Sequence, residues 1–140
     1  MKILAIDPGA KRVGLAACDE LGLTTRLLPV LQTSSTSETI RQLKDIIANE
    51  GFLKILIGLP INMDGSEGPA AKRSRDLALA LERALKDEKF AGEILLHDER
   101  LTSYEAEQRL REKGIAKAKA KDFLDSIAAE VLLEDYLRSL

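Results

Sequence analysis

Four acidic residues stand where the chain is expected to leave a strand or to enter a helix. Asp7 follows one short apolar run, Asp98 and Glu99 follow another, and Asp125 lies in the expected first turn of the last helix. Clustered carboxylates repel one another unless a cation lies between them, and Mg²⁺ or Mn²⁺ prefers such oxygen ligands. Two such ions can stabilise the attacking and leaving oxygens of a phosphodiester displacement. The spacing therefore allows a metal-dependent phosphodiesterase site, although ordinary turn and helix-capping roles account for the same residues.

Composition excludes several kinds of disulfide and metal site. The 140 residues include one cysteine, Cys18, and one histidine, His97, which excludes an internal disulfide and a multi-histidine metal site. We expect a structural role for both. No apolar run approaches the roughly 20 residues needed to span a bilayer, and the first residues lack the pattern of a signal peptide. The sequence therefore predicts a cytoplasmic protein.

Hydrophobic periodicity predicts five short strands. The third contains Pro29, which favours an edge position because proline cannot donate a ladder hydrogen bond. The first three strands are close enough in sequence to form an antiparallel meander. The predicted strands cover Lys2–Ile6, Arg12–Cys18, Thr24–Leu31, Ile55–Leu59 and Ile94–Leu96.

Helical spacing and capping signals alternate with the later strands. Ser35 and Glu38 form a capping box, and Gly51 is a plausible stop for the first helix. Pro69 suits the first position of the second helix. A third helix is expected between Thr102 and Gly114. The last helix follows a lysine-rich connector, Lys117–Lys121, and should turn inward Leu124, Ile127, Val131 and Leu132.

The predicted order is β-β-β-α-β-α-β-α, with no internal repeat or linker, so residues 1–140 are expected to form a single domain. Early strands followed by alternating helices and strands are typical of an α/β mixed sheet with helices on both faces. Ligands of such sheets bind at the carboxyl ends of the parallel strands.

Binding of nucleic acid would need local basic clusters, because the net charge of −2 gives no overall attraction. The segment from 111 to 121 carries five basic residues against one acid. We expect it to contact a phosphate backbone, although charge runs are more often solvated faces. Its lysines are Lys113, Lys117, Lys119 and Lys121, and a smaller patch holds Lys72, Arg73 and Arg75.

Further phosphate contacts are expected beside the acids. Lys11 and Arg12 lie just beyond the first carboxylate, and Arg100 directly follows another. A guanidinium can bind a phosphate through two parallel hydrogen bonds, and an internal salt bridge of Arg100 is an equal alternative. The glycine-bearing loop from Asn62 to Gly68 can position substrate through Asn62 or backbone N–H groups, or it can be an ordinary loop.

Four motifs occur in order along nearly the whole chain. They begin at Asp7, Gly58, Asp98 and Asp125 and read DPGAKRVGLA, GLPINMDGSEG, DERLTS and DSIAA. Each motif alone is weak, but together they closely resemble the YqgF family of pre-16S rRNA nucleases. Members of this family are also described as Holliday-junction resolvase-like proteins with an RNase H-like fold.

The resemblance implies an RNase H-like mixed sheet, with three antiparallel strands and then two strands parallel to the first. It also implies a nuclease site with Mg²⁺, or Mn²⁺, held by Asp7, Glu99 and Asp125. Many members of the wider superfamily carry an acid after strand four, where this chain has Gly58-Leu59-Pro60. The fifth strand must then supply the second ligand, for which Glu99 is favoured over Asp98.

Three functions remain open at this point. The first is an endonuclease that matures the 5′ end of precursor 16S rRNA, acting with or near the small ribosomal subunit. The second is a resolvase of four-way DNA junctions, for which symmetric cleavage favours a homodimer. The third is a non-catalytic RNA-binding factor in ribosome assembly. The carboxylate set and the family resemblance together favour the nuclease, and the resemblance puts precursor rRNA ahead of junctions as substrate.

Overall fold

A computed structural model describes residues 2–22, 24–32, 34–98, 108 and 117–140, with the side chains of the last segment described from residue 125 onward. Within these ranges the chain forms five strands and three helices in the predicted order. Glu99, Arg100, Lys113 and the helix expected between Thr102 and Gly114 lie outside the described residues, apart from the single residue Gln108.

The strands form one mixed sheet. In sheet order β3-β2-β1-β4-β5, β1 pairs antiparallel with β2 and parallel with β4, while β2–β3 is antiparallel and β4–β5 is parallel. The predicted meander and the edge position of β3, with its Pro29, are therefore confirmed. The strands span β1 Ile3–Pro8, β2 Arg12–Cys18, β3 Thr25–Gln32, β4 Lys54–Leu59 and β5 Glu93–Asp98.

The described helices cover both faces of the sheet, as predicted. Helices α1 (Thr36–Glu50) and α2 (Pro69–Asp87) pack on one face, and α3 (Lys117–Arg138) packs on the other. Alternate residues of β1 separate the two cores. Leu4 and Ile6 pack beneath α1 and α2, whereas Ile3 and Ala5 pack against α3.

The ends of the first two helices follow their sequence signals. Ser35 caps α1, since its side-chain oxygen accepts a hydrogen bond of 3.1 Å from the backbone N–H of Glu38. Gly51 ends α1 in the left-handed conformation at φ 74°, and its N–H donates to the carbonyl of Ile47. Pro69 is the first residue of α2. These ends place the start of both helices at the edge of the sheet where β1 and β4 end.

Replacement of Ser35 by Ala should lower the free energy of unfolding by about 1 kcal/mol, because an N–H of the first turn loses its acceptor. Urea unfolding would show this as a lower midpoint with an unchanged slope. Ser37→Ala, at an exposed position of the same turn, is the control and should change stability by less than about 0.5 kcal/mol. Equal effects of the two substitutions would contradict the capping role.

The last helix begins earlier than its pattern predicted. Residues Lys117–Lys121, expected to be a connector, form its first turns, and Asp125 therefore lies in the third turn rather than the first. The alternating Ala and Lys residues of this segment are strong helix formers, so the charge run extends the helix. Ile127, Val131 and Leu132 are buried as predicted, while the side chain of Leu124 lies outside the described residues.

None of the helices that the structure describes has the length and apolarity that a membrane crossing requires.

Candidate active site

The site is built around Asp7, at the carboxyl end of β1. Its strand neighbours Ile3 and Ala5 pack against α3, and side chains alternate between the faces of a strand. Asp7 therefore belongs to the α3 face of the sheet. It is partly exposed, and in the β1–β2 ladder it lies directly opposite Gly14.

Helix α3 approaches the sheet closely at Gly14. A Cβ atom added to Gly14 would lie 1.9 Å from the backbone oxygen of Asp125 and 2.8 Å from the nitrogen of Ser126. Only a residue without a side chain permits this approach. Because Gly14 is also the ladder partner of Asp7, the contact brings Asp125 beside Asp7 on one face of the sheet.

Gly14 was not among the site residues predicted from the sequence. The available signal was a glycine within a strand whose neighbours are buried, which often marks close approach of another backbone. A second contact near Gly14 also holds α3 against the sheet. The hydroxyl of Ser126 donates a hydrogen bond of 3.1 Å to the carbonyl of Leu28 in β3.

Arg12 faces the second carboxylate. Its Nε lies 3.4 Å from Oδ2 of Asp125, and the two side chains are about equally exposed, at 28% and 27%. Burial raises the pKa of the Asp125 carboxyl above its usual range, and the nearby positive charge of Arg12 partly opposes that rise. The ion pair thus favours the ionised carboxylate, which is the form that binds a cation.

Arg12→Ala should raise the pKa of Asp125 further, because the substitution removes the charge that lowers it and leaves the burial that raises it. The measurement is a carboxyl ¹³C NMR titration of Asp125 in metal-free protein. Arg26→Ala is the matched control, since Arg26 pairs with Glu50 on another part of the sheet. A pKa that falls or stays constant in Arg12→Ala would contradict the electrostatic role of the pair.

The end of β5 separates Asp98 from this site. Ile94 packs beneath α1 and α2, and Leu95 packs on the α3 side. Alternation then places Asp98 with Ile94, on the face away from Asp7, and His97 on the α3 face. Consistent with this, Nε2 of His97 lies 2.7 Å from a carboxylate oxygen of Asp135 in α3. The histidine thus links β5 to α3, in line with its expected structural role.

The described carboxylates suit a hard cation without completing its site. Asp7 and Asp125 supply oxygen ligands on one face. Within residues 2–22, 24–32, 34–98, 108 and 117–140, no group of three His, Cys, Asp or Glu residues could hold a metal ion. Glu99, the expected third ligand, lies outside those residues.

The predicted phosphate contacts are placed in part. Lys11 is exposed in the turn between β1 and β2, next to the site. Arg12 lies at the site and pairs with Asp125. Lys117, Lys119 and Lys121 belong to α3, but their side chains are not described, and Arg100 and Lys113 lie outside the described residues.

The loop after β4 is internally hydrogen-bonded. The side-chain amide of Asn62 donates to the Ser66 hydroxyl at 3.0 Å, and the Ser66 N–H donates to the Asp64 carboxylate at 2.9 Å. A bridge between Ile61 and Glu67 closes the loop. In this arrangement the Asn62 amide is engaged within the loop, whose exposed tip carries Met63, 75% exposed.

Two solved structures with a similar fold are Holliday junction resolvases. The fold is similar to RuvC of T. thermophilus in complex with a Holliday junction substrate, with a TM-score of 0.61 and 15% identity, covering 99% of this chain and 96% of that one. It is also similar to the fowlpox virus Holliday junction resolvase, with a TM-score of 0.62 and 14% identity over the full length of both chains. The fold is therefore RNase H-like, as predicted.

Sequence comparison defines the family within that class. The family described as "RuvX: Holliday junction resolvase" matches residues 1–139, and the chain belongs to it. A protein of Carboxydothermus hydrogenoformans is 37% identical over 138 residues, and one of Anaeromyxobacter sp. (strain K) is 36% identical over 137 residues. Each alignment covers 98% of this chain and 96% of the relative, and both relatives are named "Putative pre-16S rRNA nuclease". The resemblance to a nuclease family is thus confirmed.

Proposed function

We propose that this protein is a metal-dependent endonuclease that hydrolyses phosphodiester bonds, acting on precursor 16S rRNA at its 5′ end. The observation that carries the proposal is the contact of α3 with Gly14, which places the carboxylates of Asp7 and Asp125 on one face at the end of β1. Ligands of open α/β sheets bind at this edge. Membership of a resolvase family supports the same chemistry.

Asp7, Asp125 and Glu99 are the proposed ligands of Mg²⁺ or Mn²⁺. Glu99 is preferred over Asp98 because alternation along β5 places Asp98 on the opposite face from Asp7. When bound, the metal would supply Lewis-acid stabilisation of the charge that develops on the phosphate oxygens. Arg12, whose Nε lies 3.4 Å from the Asp125 carboxylate, favours the ionised form of that group and partly opposes the effect of its burial on the pKa.

Basic groups around the same edge are proposed to hold the nucleic-acid backbone. Lys11 projects from the exposed turn that directly follows β1. We assign phosphate contacts also to Arg12, to Asn62 in its hydrogen-bonded loop, and to five basic residues whose side chains lie outside the described part of the chain. These are Arg100, Lys113, and the α3 residues Lys117, Lys119 and Lys121, which lead along the helix toward Asp125.

The names of the relatives favour precursor rRNA as substrate, and therefore a cytoplasmic site of action near the small ribosomal subunit. The description of the family favours a second candidate, the cleavage of four-way DNA junctions. Paired incision of a junction would require a homodimer, because two symmetric cuts need two sites.

The test is incubation of the pure protein with two labelled substrates in parallel, in Mg²⁺, in Mn²⁺ and in EDTA. One substrate is precursor small-subunit RNA with its 5′ extension, and the other is a four-way DNA junction. We expect cleavage of the RNA in either metal and none in EDTA. Cleavage of the junction alone would assign the protein to recombination. Tight RNA binding without any cleavage would overturn the nuclease proposal in favour of a binding factor.

A further inference from the structure

A cleft of about 450 Å³ lies on the opposite face of the sheet from Asp125. Pro8, Gly9 and Ala10 form one wall, and the first turns of α1 and α2 form the others. Pro8 is the strand neighbour of Asp7, and its side chain points to the face that α1 and α2 cover. The connection from Pro8 to Arg12 therefore borders both the cleft and the active-site edge.

The side chains in this cleft give it a positive balance. Lys72 and Arg73 line it from the first turns of α2, together with one acid, Asp76, which pairs with Lys72 at 2.9 Å. Arg73 is exposed and makes no ion pair with any residue that the structure describes. The third member of the predicted basic patch, Arg75, forms two hydrogen bonds with Glu67 and does not line the cleft.

The helix backbone adds to the positive electrostatic potential of the cleft. Both helices start at the cleft, α1 behind Ser35 and α2 behind Gly68, and each helix start carries a partial positive charge. Gly68 offers no side-chain acceptor to the first turn of α2. Hydroxyl donors of Ser34 and Thr36 stand on the same wall. An anion with several oxygen acceptors suits this lining better than an apolar or cationic ligand does.

We propose that this cleft binds a backbone phosphate of the nucleic-acid substrate. The substrate strand would run from the active site across the turn between β1 and β2. The inference rests on the proposed nuclease function and adds a second phosphate site on the α1–α2 face. The free guanidinium of Arg73 is the principal contact, because a charge-assisted fork of donors matches a phosphate. A volume of 450 Å³ accommodates the phosphate with part of its sugar.

The test measures binding separately from cleavage. Fluorescence anisotropy follows a labelled precursor-rRNA fragment and a labelled four-way junction, in EDTA and over a series of salt concentrations. Arg73→Ala should weaken binding about fivefold at low salt, for whichever of the two substrates the wild type cleaves. It should also reduce the slope of log affinity against log salt concentration by about 0.7 to 0.9, which corresponds to the loss of one phosphate contact. Arg83→Ala is the matched control, since Arg83 is also exposed on α2 but lies six residues beyond Leu77, the last α2 residue that lines the cleft.

An unchanged salt slope in Arg73→Ala would overturn the proposal, and so would equal losses in Arg73→Ala and Arg83→Ala. A second experiment with inorganic phosphate distinguishes a site for the free phosphate ion from a site for a backbone phosphate of nucleic acid. If inorganic phosphate raises the melting temperature of the wild type but not of Arg73→Ala, while nucleic-acid affinity is the same in both, the cleft is a site for free phosphate and the proposal fails. Failure of the nuclease proposal would be seen separately, as RNA binding without cleavage in Mg²⁺ or Mn²⁺. Failure of its metal site would be seen as cleavage that persists in EDTA or after substitution of Asp7.

Discussion

Asp7→Asn should lower the rate of metal-dependent cleavage by about a thousandfold or more, with little change in stability. The amide keeps the size of the carboxylate but loses the charge that holds a cation. Asp7 is partly exposed at the end of its strand, so the substitution leaves the core intact. The measurement is a single-turnover rate in Mg²⁺ with the cleaved substrate, combined with a thermal melt.

The carboxylates after β5 provide the matched controls for this experiment. Asp98→Asn should retain near-wild-type cleavage, because alternation places Asp98 on the face of α1 and α2. Glu99→Gln should be as inactive as Asp7→Asn. The reverse pattern, with Asp98 essential and Glu99 dispensable, would show that the strand does not direct these side chains as proposed. Full activity of Asp7→Asn would remove the proposed site altogether.

Gly14→Ala should destabilise the protein by about 3 kcal/mol, at the upper end of the usual cost of overpacking. The added methyl would lie 1.9 Å from the backbone oxygen of Asp125, and backbone cannot rotate away as a side chain can. Helix α3 must therefore move off β2. Urea unfolding measures the loss, and the cleavage rate of the protein that remains folded should also fall, because Asp125 moves relative to Asp7.

Gly68→Ala is the control for that substitution. Its added Cβ would be at an ordinary contact distance of 3.7 Å from the Asn62 amide, and its φ of −103° is open to alanine. We expect a loss below about 1 kcal/mol, from the less favourable residue at a helix cap. If Gly14→Ala were no more destabilising than Gly68→Ala, the close packing of α3 on β2 would be wrong.

Local signals in the sequence were sufficient for the scaffold. The β2 bounds, the Ser35 cap, the Gly51 stop and the Pro69 start agree with the structure because each depends on neighbouring residues. The predicted start of the last helix was wrong, because the lysine run was interpreted through its charge rather than through its strong helix propensity. The helix already includes Lys117.

Sequence patterns could not predict contacts between distant segments. The pattern placed Asp7 at a strand end but gave no distance to Asp125, which approaches it only through the packing of α3 on Gly14. The same holds for the ion pair of Arg12 with Asp125 and for that of Arg75 with Glu67. Some basic residues that look available in the sequence are therefore paired with acidic residues in the folded protein.

The proposed metal site can be tested without any substrate, by a Mn²⁺ titration followed by electron paramagnetic resonance. The wild type, Asp7→Asn, Asp125→Asn and Asp98→Asn are compared under identical conditions. We predict that Asp7→Asn and Asp125→Asn each weaken Mn²⁺ binding by at least about tenfold, and that Asp98→Asn leaves it unchanged. Mn²⁺ binding of Asp7→Asn and Asp125→Asn equal to that of the wild type would contradict the account.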